Sequence, residues 1–347
     1  MKNNKTYRAA WECPSNIALI KYWGKKSPQL PLNPSLSFSL KNAKTKTAVE
    51  ITHNNNQKVE FFFEGKSSTF GERIQNYLNV LAKDEKWLND FSFHIESSNN
   101  FPHSAGIASS ASAFGALALC LADLKKQVTG EKVETQIFFK QASAWARLGS
   151  GSACRSVYPQ FAIWGEFDQM PDASDYHAIP LSNYIHPDYF TLCDAILLID
   201  STKKKVSSST GHQLMDNHLF REVRIKQANN HAREILEAMK TGDHESFFQI
   251  IEKEAFSLHA MMMTSEPPYL LLHPNSLEII QKIQDFREQT GLNIGFTIDA
   301  GPNIHFLYFE KDAKVVQQFI ENELLVFTEN KTWLDDRIGT GPKKQEK

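Results

Sequence analysis

The chain is poor in cysteine, balanced in charge and free of long apolar runs, and each shortage removes a class of protein. Its four cysteines, Cys13, Cys120, Cys154 and Cys193, form no C-x-x-C pair, and three of them lie among apolar or small residues. That pattern argues against a disulfide framework and for free thiols in a reducing compartment. No stretch of 18 apolar residues occurs, and Met1-Lys2-Asn3-Asn4-Lys5 leads into polar sequence without an apolar segment, so a soluble, cytoplasmic protein is expected. The net charge is -2 from 38 basic and 40 acidic residues, which excludes nucleic acid as the main partner. The basic clusters Lys203-Lys204-Lys205 and Lys343-Lys344 are short and separated, and read as solvated surface.

Several catalytic signatures are missing as well. The 12 histidines show no H-E-x-x-H or other paired ligand spacing, so neither a structural nor a catalytic zinc is expected. There is no G-x-S-x-G elbow. Gly24-Lys25 ends like a Walker A loop, but Leu19 stands at its first glycine and Lys26 at its hydroxyl position. Gly149-Ser150-Gly151 begins like a dinucleotide fingerprint, but Cys154 replaces the third glycine and the segment follows a helix instead of a strand. No Gly/Ser linker, low-complexity tract or internal repeat interrupts the 347 residues, so two closely packed lobes are expected, divided near residue 190 into 1–190 and 191–340.

What is present begins with Asn16-Ile17-Ala18-Leu19-Ile20-Lys21-Tyr22-Trp23-Gly24-Lys25. Ile17 to Ile20 read as a short buried strand that delivers Lys21 into an apolar setting, which is costly unless a negative partner meets it. The block suggests an anion site at a strand end, with a core strand carrying two snorkelling lysines as the alternative. Thr47 to Thr52 and Val59 to Phe63 read as a hairpin across Asn54-Asn55-Asn56. Phe70, Ile74, Tyr77, Leu78 and Leu81 recur at helical spacing after the N-cap candidates Ser67 and Ser68, placing Arg73 near the helix start. Phe91 to Ile95 alternates as a strand. In the second half, Ala195 to Asp200 reads as a buried strand, residues 217–240, 245–261 and 275–290 as helices, and Asn293 to Ile298 and Asn303 to Phe309 as strands. Met261-Met262-Met263 reads as packing near a helix end.

Three segments carry the chemistry. Pro102 to Ser112 is a small-residue loop running into a helical pattern, where backbone N–H groups and the helix dipole can face a phosphate, and where Ser109 and Ser110 add hydroxyls that can reach phosphate or magnesium. The alternative is an ordinary Ser-capped helix. Arg147 to Ser156 packs two glycines, three serines and two arginines into ten residues, a turn suited to carboxylate or phosphate. Asp299 ends an apolar strand before Ala300-Gly301-Pro302-Asn303, and is either a turn cap or a catalyst.

Taken together, the loop 102–112, the turn at 299–301 and the lysine-bearing first strand resemble the GHMP superfamily of small-molecule kinases. Lys21 to Lys25, Gly149 to Arg155 and Asp299 to Asn303 narrow the resemblance to the diphosphomevalonate decarboxylase family, with motifs running from residue 16 to 303. The resemblance implies a two-lobed α+β fold, with a ribosomal protein S5 domain 2-like N-terminal lobe and a ferredoxin-like C-terminal lobe. It also implies ATP-dependent decarboxylation of (R)-5-diphosphomevalonate to isopentenyl diphosphate, ADP, phosphate and carbon dioxide, a step of isoprenoid biosynthesis. By the same resemblance Asp299, Lys21 and Arg155 are catalytic. Tyr22, Trp23, Gly24, Lys25, Arg73, Ser150, Gly151, Ser152, Ala153, Cys154 and Ser209 bind substrate. Ala105, Gly106, Ile107, Ala108, Ser109 and Ser110 meet ATP, whose magnesium touches Ser109 or Ser110, and the assembly is a homodimer. His103, Ser209 and Pro34 depart from the residues usual in the family, and none of the three is a reacting group. The alternatives are a decarboxylase of 5-phosphomevalonate, a kinase acting on the 3-hydroxyl without decarboxylation, or a non-catalytic nucleotide-binding module on the same fold.

Overall fold

The structure, a computed structural model, describes residues 5–54, 58–102, 107–201 and 206–346. Its principal strands are β1 (Thr6–Ala18), β2 (Ser35–His53), β3 (Val59–Phe63), β4 (Phe91–Asn99), β5 (Phe161–Trp164), β6 (Leu192–Leu197), β7 (Ile294–Thr297), β8 (Ile304–Phe309) and β9 (Trp333–Arg337). The helices that matter to the site are α1 (Phe70–Leu81), α2 (Ser109–Thr129), α3 (Thr135–Gly149), α4 (Ala153–Ser156), α5 (Ser208–Leu214), α6 (Arg221–Thr241), α7 (His244–Met263) and α8 (Pro274–Thr290). The first sheet runs β1-β2-β4-β3, with β5 also paired to β2 and the late strand Lys343–Lys344 added beside β1. The second runs β7-β8-β6-β9 and is antiparallel throughout.

β1 shows why the lobes pack closely. Its outer half alternates between buried and less buried residues, as expected of a sheet covered on one face, whereas its inner half is buried continuously. There Ile17 joins Leu36, Phe38 and Leu40 in a cluster with Ala228, Ala232 and Ile235 of α6 and Phe247, Phe248 and Ile251 of α7. Helices of the second half thus cover strand ends of the first. A second core packs α1, α2 and α3 on the outer part of the first sheet, and a third seats Ile279, Ile280 and Ile283 of α8 on the second sheet. Asp336 on β9 fastens the lobes further by accepting the backbone N–H groups of Lys41, Asn42 and Ala43, where β2 loses register with β1. Burial raises the Asp336 pKa against those hydrogen bonds.

The structure corrects three local readings. Thr47 to Thr52 and Val59 to Phe63 do not form a hairpin, because β4 lies between them, antiparallel to β2 and parallel to β3. Adjacency in sequence suggested the pairing, but β4, with Phe93 and Ile95 in the core, supplies a better partner for both strands. The proposed turn residues Asn55 and Asn56 lie outside the described residues. The first strand ends at Ala18, short of Ile20. Leu19 and Ile20 bend away, and both of their N–H groups donate to the Leu36 carbonyl. Finally, Thr69 occupies the α1 N-cap with no side-chain cap bond, while Ser67 belongs to a short strand and Ser68 accepts from the Phe70 N–H at 3.3 Å. The four cysteines are free and buried. No helix among the described residues is long and apolar enough to cross a membrane.

Candidate active site

Lys21 lies just past the bend after β1, and its backbone is laced in place by side chains. Its N–H donates to Glu254 Oε2 at 2.9 Å and its carbonyl accepts from Asn33 Nδ2 at 3.1 Å. Its ammonium donates to the Ala18 carbonyl at 2.7 Å and to Asp299 Oδ1 at 2.8 Å. The lysine side chain is only 2% exposed whereas that of Asp299 is 23% exposed, so the pair is sealed on the lysine side and open on the carboxylate side. Asp299 follows β7 in a turn held at its carbonyl, which accepts from Gly301 N–H at 2.7 Å and from His259 Nε2 on α7 at 3.1 Å. The negative partner that the first strand's buried lysine requires is therefore 278 residues away in sequence.

These groups line a cavity of 310 Å³ between the lobes. Among the described residues that line it, Lys21, Lys25, Arg73 and Arg155 are the cationic side chains and Asp299 is the one carboxylate. Such an excess, set in a partly desolvated cleft, favours a polyanion. Arg155 sits on the single turn of α4 and is 1% exposed. Its Nε donates to Ser37 Oγ at 2.9 Å and its Nη2 to Asn16 Oδ1 at 3.4 Å, while Nη1 has no hydrogen-bond partner among the described residues. Burial lowers the Arg155 pKa, and the guanidinium stays charged because an arginine starts so high. A buried guanidinium nitrogen left without a partner beside a cavity is a binding group awaiting an acceptor. Among the described residues the Tyr22 hydroxyl is likewise buried without a hydrogen-bond partner, and Tyr22 lines the cavity.

The loop after Lys21 places the remaining groups. Gly24 has φ +82°, a conformation that favours glycine, and Cβ there would lie 2.5 Å from Leu32 Cδ1. Lys25 Nζ donates to Gln29 Oε1 at 3.0 Å, and Arg147 holds that loop by donating to the Pro28 carbonyl at 2.6 Å. Arg73 on α1 donates to the Gly149 carbonyl at 3.1 Å and lies over the Phe114 ring at 4.9 Å. Gly151 can only be glycine at this packing, since a Cβ would stand 2.8 Å from the Tyr22 ring. Ser150, Gly151, Ser152 and Ser209 line the cavity together with Tyr22, Trp23 and Lys25. Ala153 and Cys154 do not: both are fully buried behind the turn, where the Cys154 thiol, its pKa pushed up to about 12 by burial, donates to the Gly151 carbonyl at 3.0 Å.

A larger cavity of 670 Å³ adjoins this one. It is lined by Phe61, Phe63, Phe70, Arg73, Ser109, Ser110 and Phe114 among others, and Arg73 and Ser110 face both spaces. α2 opens at Ser109 with Ala108 at φ +46° and no side-chain cap among the described residues; the Ala111 N–H already donates to the Ala108 carbonyl at 2.7 Å, so the N–H groups of Ser109 and Ser110 are the ones the helix start can turn to an anion. Ser110 Oγ is 3.3 Å from Ser150 Oγ, joining the helix start to the serine-rich turn. Ile107 is core, its carbonyl accepting from Ser15 Oγ. Ala105 and Gly106 lie outside the described residues, as do His103 and Lys203 to Lys205.

Sequence reasoning gave no role to Asn16 and Ser37, which stand behind Arg155, and missed Glu254 behind Lys21 and His212 beside Tyr22. The first two carried no signal separable from strand residues. Glu254 sits in the helical pattern 245–261 and His212 in the polar stretch before 217–240, where a polar residue is unremarked until tertiary neighbours seal it in.

Fold and site together define a class: a two-lobed α+β protein of the GHMP type, with a cationic interlobe cleft built around a Lys–Asp pair. The family model described as the diphosphomevalonate decarboxylase-like N-terminal domain matches residues 13–176, and that of the mevalonate 5-diphosphate decarboxylase C-terminal domain matches residues 195–345. A diphosphomevalonate decarboxylase of Ganoderma lucidum is 33% identical over 320 residues, 86% of this chain and 77% of that one. The crystal structure of mevalonate diphosphate decarboxylase from Staphylococcus aureus superposes with a TM-score of 0.82 at 30% identity, covering 99% of both chains. A structure of MDDEF in complex with MVAPP, AMPPCP and magnesium gives a TM-score of 0.82 at 27% identity, covering 99% of this chain and 100% of that one. The chain belongs to the diphosphomevalonate decarboxylase family.

Proposed function

We propose that this protein decarboxylates (R)-5-diphosphomevalonate with ATP, giving isopentenyl diphosphate, ADP, phosphate and carbon dioxide. The observation that carries the reading is the half-open Lys21–Asp299 pair at 2.8 Å, in a cavity whose other cations are Arg155, Lys25 and Arg73. Asp299 accepts a hydrogen bond from the substrate's 3-hydroxyl and takes its proton as the oxygen–phosphorus bond forms. A carboxylate, with an ordinary pKa of about 3.9, cannot remove a tertiary alcohol's proton beforehand, so the transfer is late. Lys21 holds Asp299 in place and offsets charge at the transferring phosphoryl group. Arg155 pairs with the substrate carboxylate, fixing the carbon–carbon bond that breaks. Phosphate then leaves from the tertiary carbon, and the electrons released with carbon dioxide form the double bond.

Lys25 and Arg73, with Tyr22, Trp23 and the Ser150 to Ser152 turn, take the diphosphate, and Ser209 closes the site. ATP lies with its phosphates on the start of α2 and its base in the larger cavity among Phe61, Phe63 and Phe70. Magnesium accompanies ATP and neutralises phosphate charge. Two serine hydroxyls, Ser109 and Ser110, suit an ion held mostly by phosphates, since no cluster of three or more His, Cys, Asp or Glu able to hold a metal occurs among the described residues. The reading carries with it a division into lobes at 1–190 and 191–340, a cytoplasmic location that accords with four buried free thiols, and a homodimer by family analogy. Light scattering on the purified protein tests the last.

The deciding assay compares ATP-dependent carbon dioxide release from mevalonate, its 5-phosphate and its 5-diphosphate. The diphosphate is expected to be preferred. Preference for the monophosphate, or phosphorylation without carbon dioxide, would replace this activity with one of its relatives.

A further inference from the structure

His212, on α5, is buried against the loop that carries the proposed diphosphate-binding residues. Its ring lies 4.4 Å from that of Tyr22 and 4.8 Å from that of Trp23, centroid to centroid. Its Nδ1 accepts the backbone N–H of Gly24 at 3.0 Å. An imidazole nitrogen that accepts cannot carry a proton, so the neutral ring is held as the tautomer with its proton on Nε2. The surroundings keep the ring neutral: burial, and behind it the charge of Lys25, push its pKa down to about 3. The ring lines the 310 Å³ cavity, and no hydrogen bond engages Nε2 among the described residues.

We propose that His212 is a substrate-recognition residue, donating its Nε2–H to a phosphate oxygen of the diphosphate while its Nδ1 fixes Gly24. The proposal rests on the decarboxylase reading for the identity of that anion. Its physical sense lies in charge. The cavity already sets four cationic side chains against one carboxylate. A fifth cation would sit against the charge of Lys25, which already opposes protonation of the ring. A neutral donor adds direction without adding charge. Gly211 brings the helix close enough for this, since a Cβ there would stand 2.5 Å from the Trp23 ring.

The two ring nitrogens can be separated by substitution. Asparagine can reproduce the Nδ1 acceptor but lacks a donor at the Nε2 position, whereas glutamine can place an amide N–H there. In His212→Asn the Kd for inorganic diphosphate and the KM for 5-diphosphomevalonate are expected to rise about tenfold, the loss of one hydrogen bond to a charged group, with a smaller change in kcat. His212→Gln is expected to recover most of the affinity. Long-range nitrogen–proton NMR of the ring at neutral pH, assigned by the signal missing from His212→Asn, should report the Nε2–H tautomer and a shift when inorganic diphosphate is added. Unchanged diphosphate affinity in His212→Asn, or a ring protonated at Nδ1, would overturn the proposal. Diphosphate binding requires no turnover, so a protein that fails to decarboxylate but whose diphosphate affinity responds to His212 refutes the activity and leaves this inference standing. One that decarboxylates yet ignores both substitutions does the reverse.

Discussion

Two buried clusters in this molecule use the same chemistry and differ in access. In one, Glu254 is fully buried and is met by Arg224 at 2.9 and 2.6 Å and by His231 Nδ1 at 2.6 Å, closing α6 onto α7. In the other, Lys21 meets Asp299 at 2.8 Å, with the carboxylate left partly open to the interlobe cavity. Both Glu254 oxygens accept from protein groups, and although Arg224 Nε has no hydrogen-bond partner among the described residues, none of the three side chains lines either cavity of the site. Asp299 instead turns a carboxylate that is 23% exposed towards the cavity. The clusters touch through one bond, from the Lys21 N–H to Glu254 Oε2, so the sealed one serves as the footing of the open one. Ion pairs alone do not mark a site; a charged group open to a cavity does.

The sharpest way to break this contrast is to remove the sealed carboxylate. Glu254→Ala leaves Arg224 buried without its partner and is expected to lose about 3–5 kcal/mol of stability in denaturant unfolding of the whole chain. A loss under about 1 kcal/mol would mean the cluster is no framework. The same carboxyl predicts a pH dependence. Burial pushes the Glu254 pKa up, but Arg224, His231 and the Lys21 amide outweigh it and leave the group below its ordinary value. A depressed carboxyl stabilises the fold above its unfolded value of about 4.3, and that contribution is lost as the pH falls through the lower folded value. Melting temperatures followed from pH 6 into acid should fall more steeply in the wild type than in Glu254→Gln.

Asp299→Asn comes next. It should lower kcat on the order of 10²-fold or more while ATP binding persists, at a smaller stability cost than Glu254→Ala, because an amide oxygen still faces Lys21. Near-normal turnover would reduce Asp299 to a turn cap. The two lysines should then fail differently. Lys25→Ala is expected to raise the substrate KM about tenfold, as one charge-assisted contact to phosphate is lost, whereas Lys21→Ala chiefly lowers kcat. Equal loss of turnover with unchanged KM in both would erase the division. Smallest of all, cutting the partly exposed pair Lys44–Glu12, 2.9 Å apart on neighbouring strands, should change stability by at most about 1 kcal/mol.

Much of this was legible in the chain. Helical spacing gave α1 over Phe70–Leu81, and the helices read at 245–261 and 275–290 lie within a few residues of α7 (His244–Met263) and α8 (Pro274–Thr290). Those patterns are local and repeat every few residues, so they survive without tertiary context. The same local logic failed at β2 and β3, where two nearby strand-like runs invited a hairpin and a strand from forty residues on took the place between them. At the site, Lys21 announced itself as an apolar-flanked lysine and Asp299 as a strand-end acid. Their meeting is a contact across 278 residues.

By itself the sequence determined the residue types of the cleft, the helices that frame it and the family to which the chain belongs, because periodicity and motif spacing are properties of neighbours along the chain. Only the tertiary structure decided which polar groups are left wanting a partner. Arg155 has an open Nη1 because Ser37 and Asn16 occupy its other nitrogens, and His212 keeps its proton on Nε2 because Gly24 occupies Nδ1. Desolvation and hydrogen-bond satisfaction depend on atoms brought together from distant parts of the chain, and that assembly exists only once both lobes have closed around the cavity.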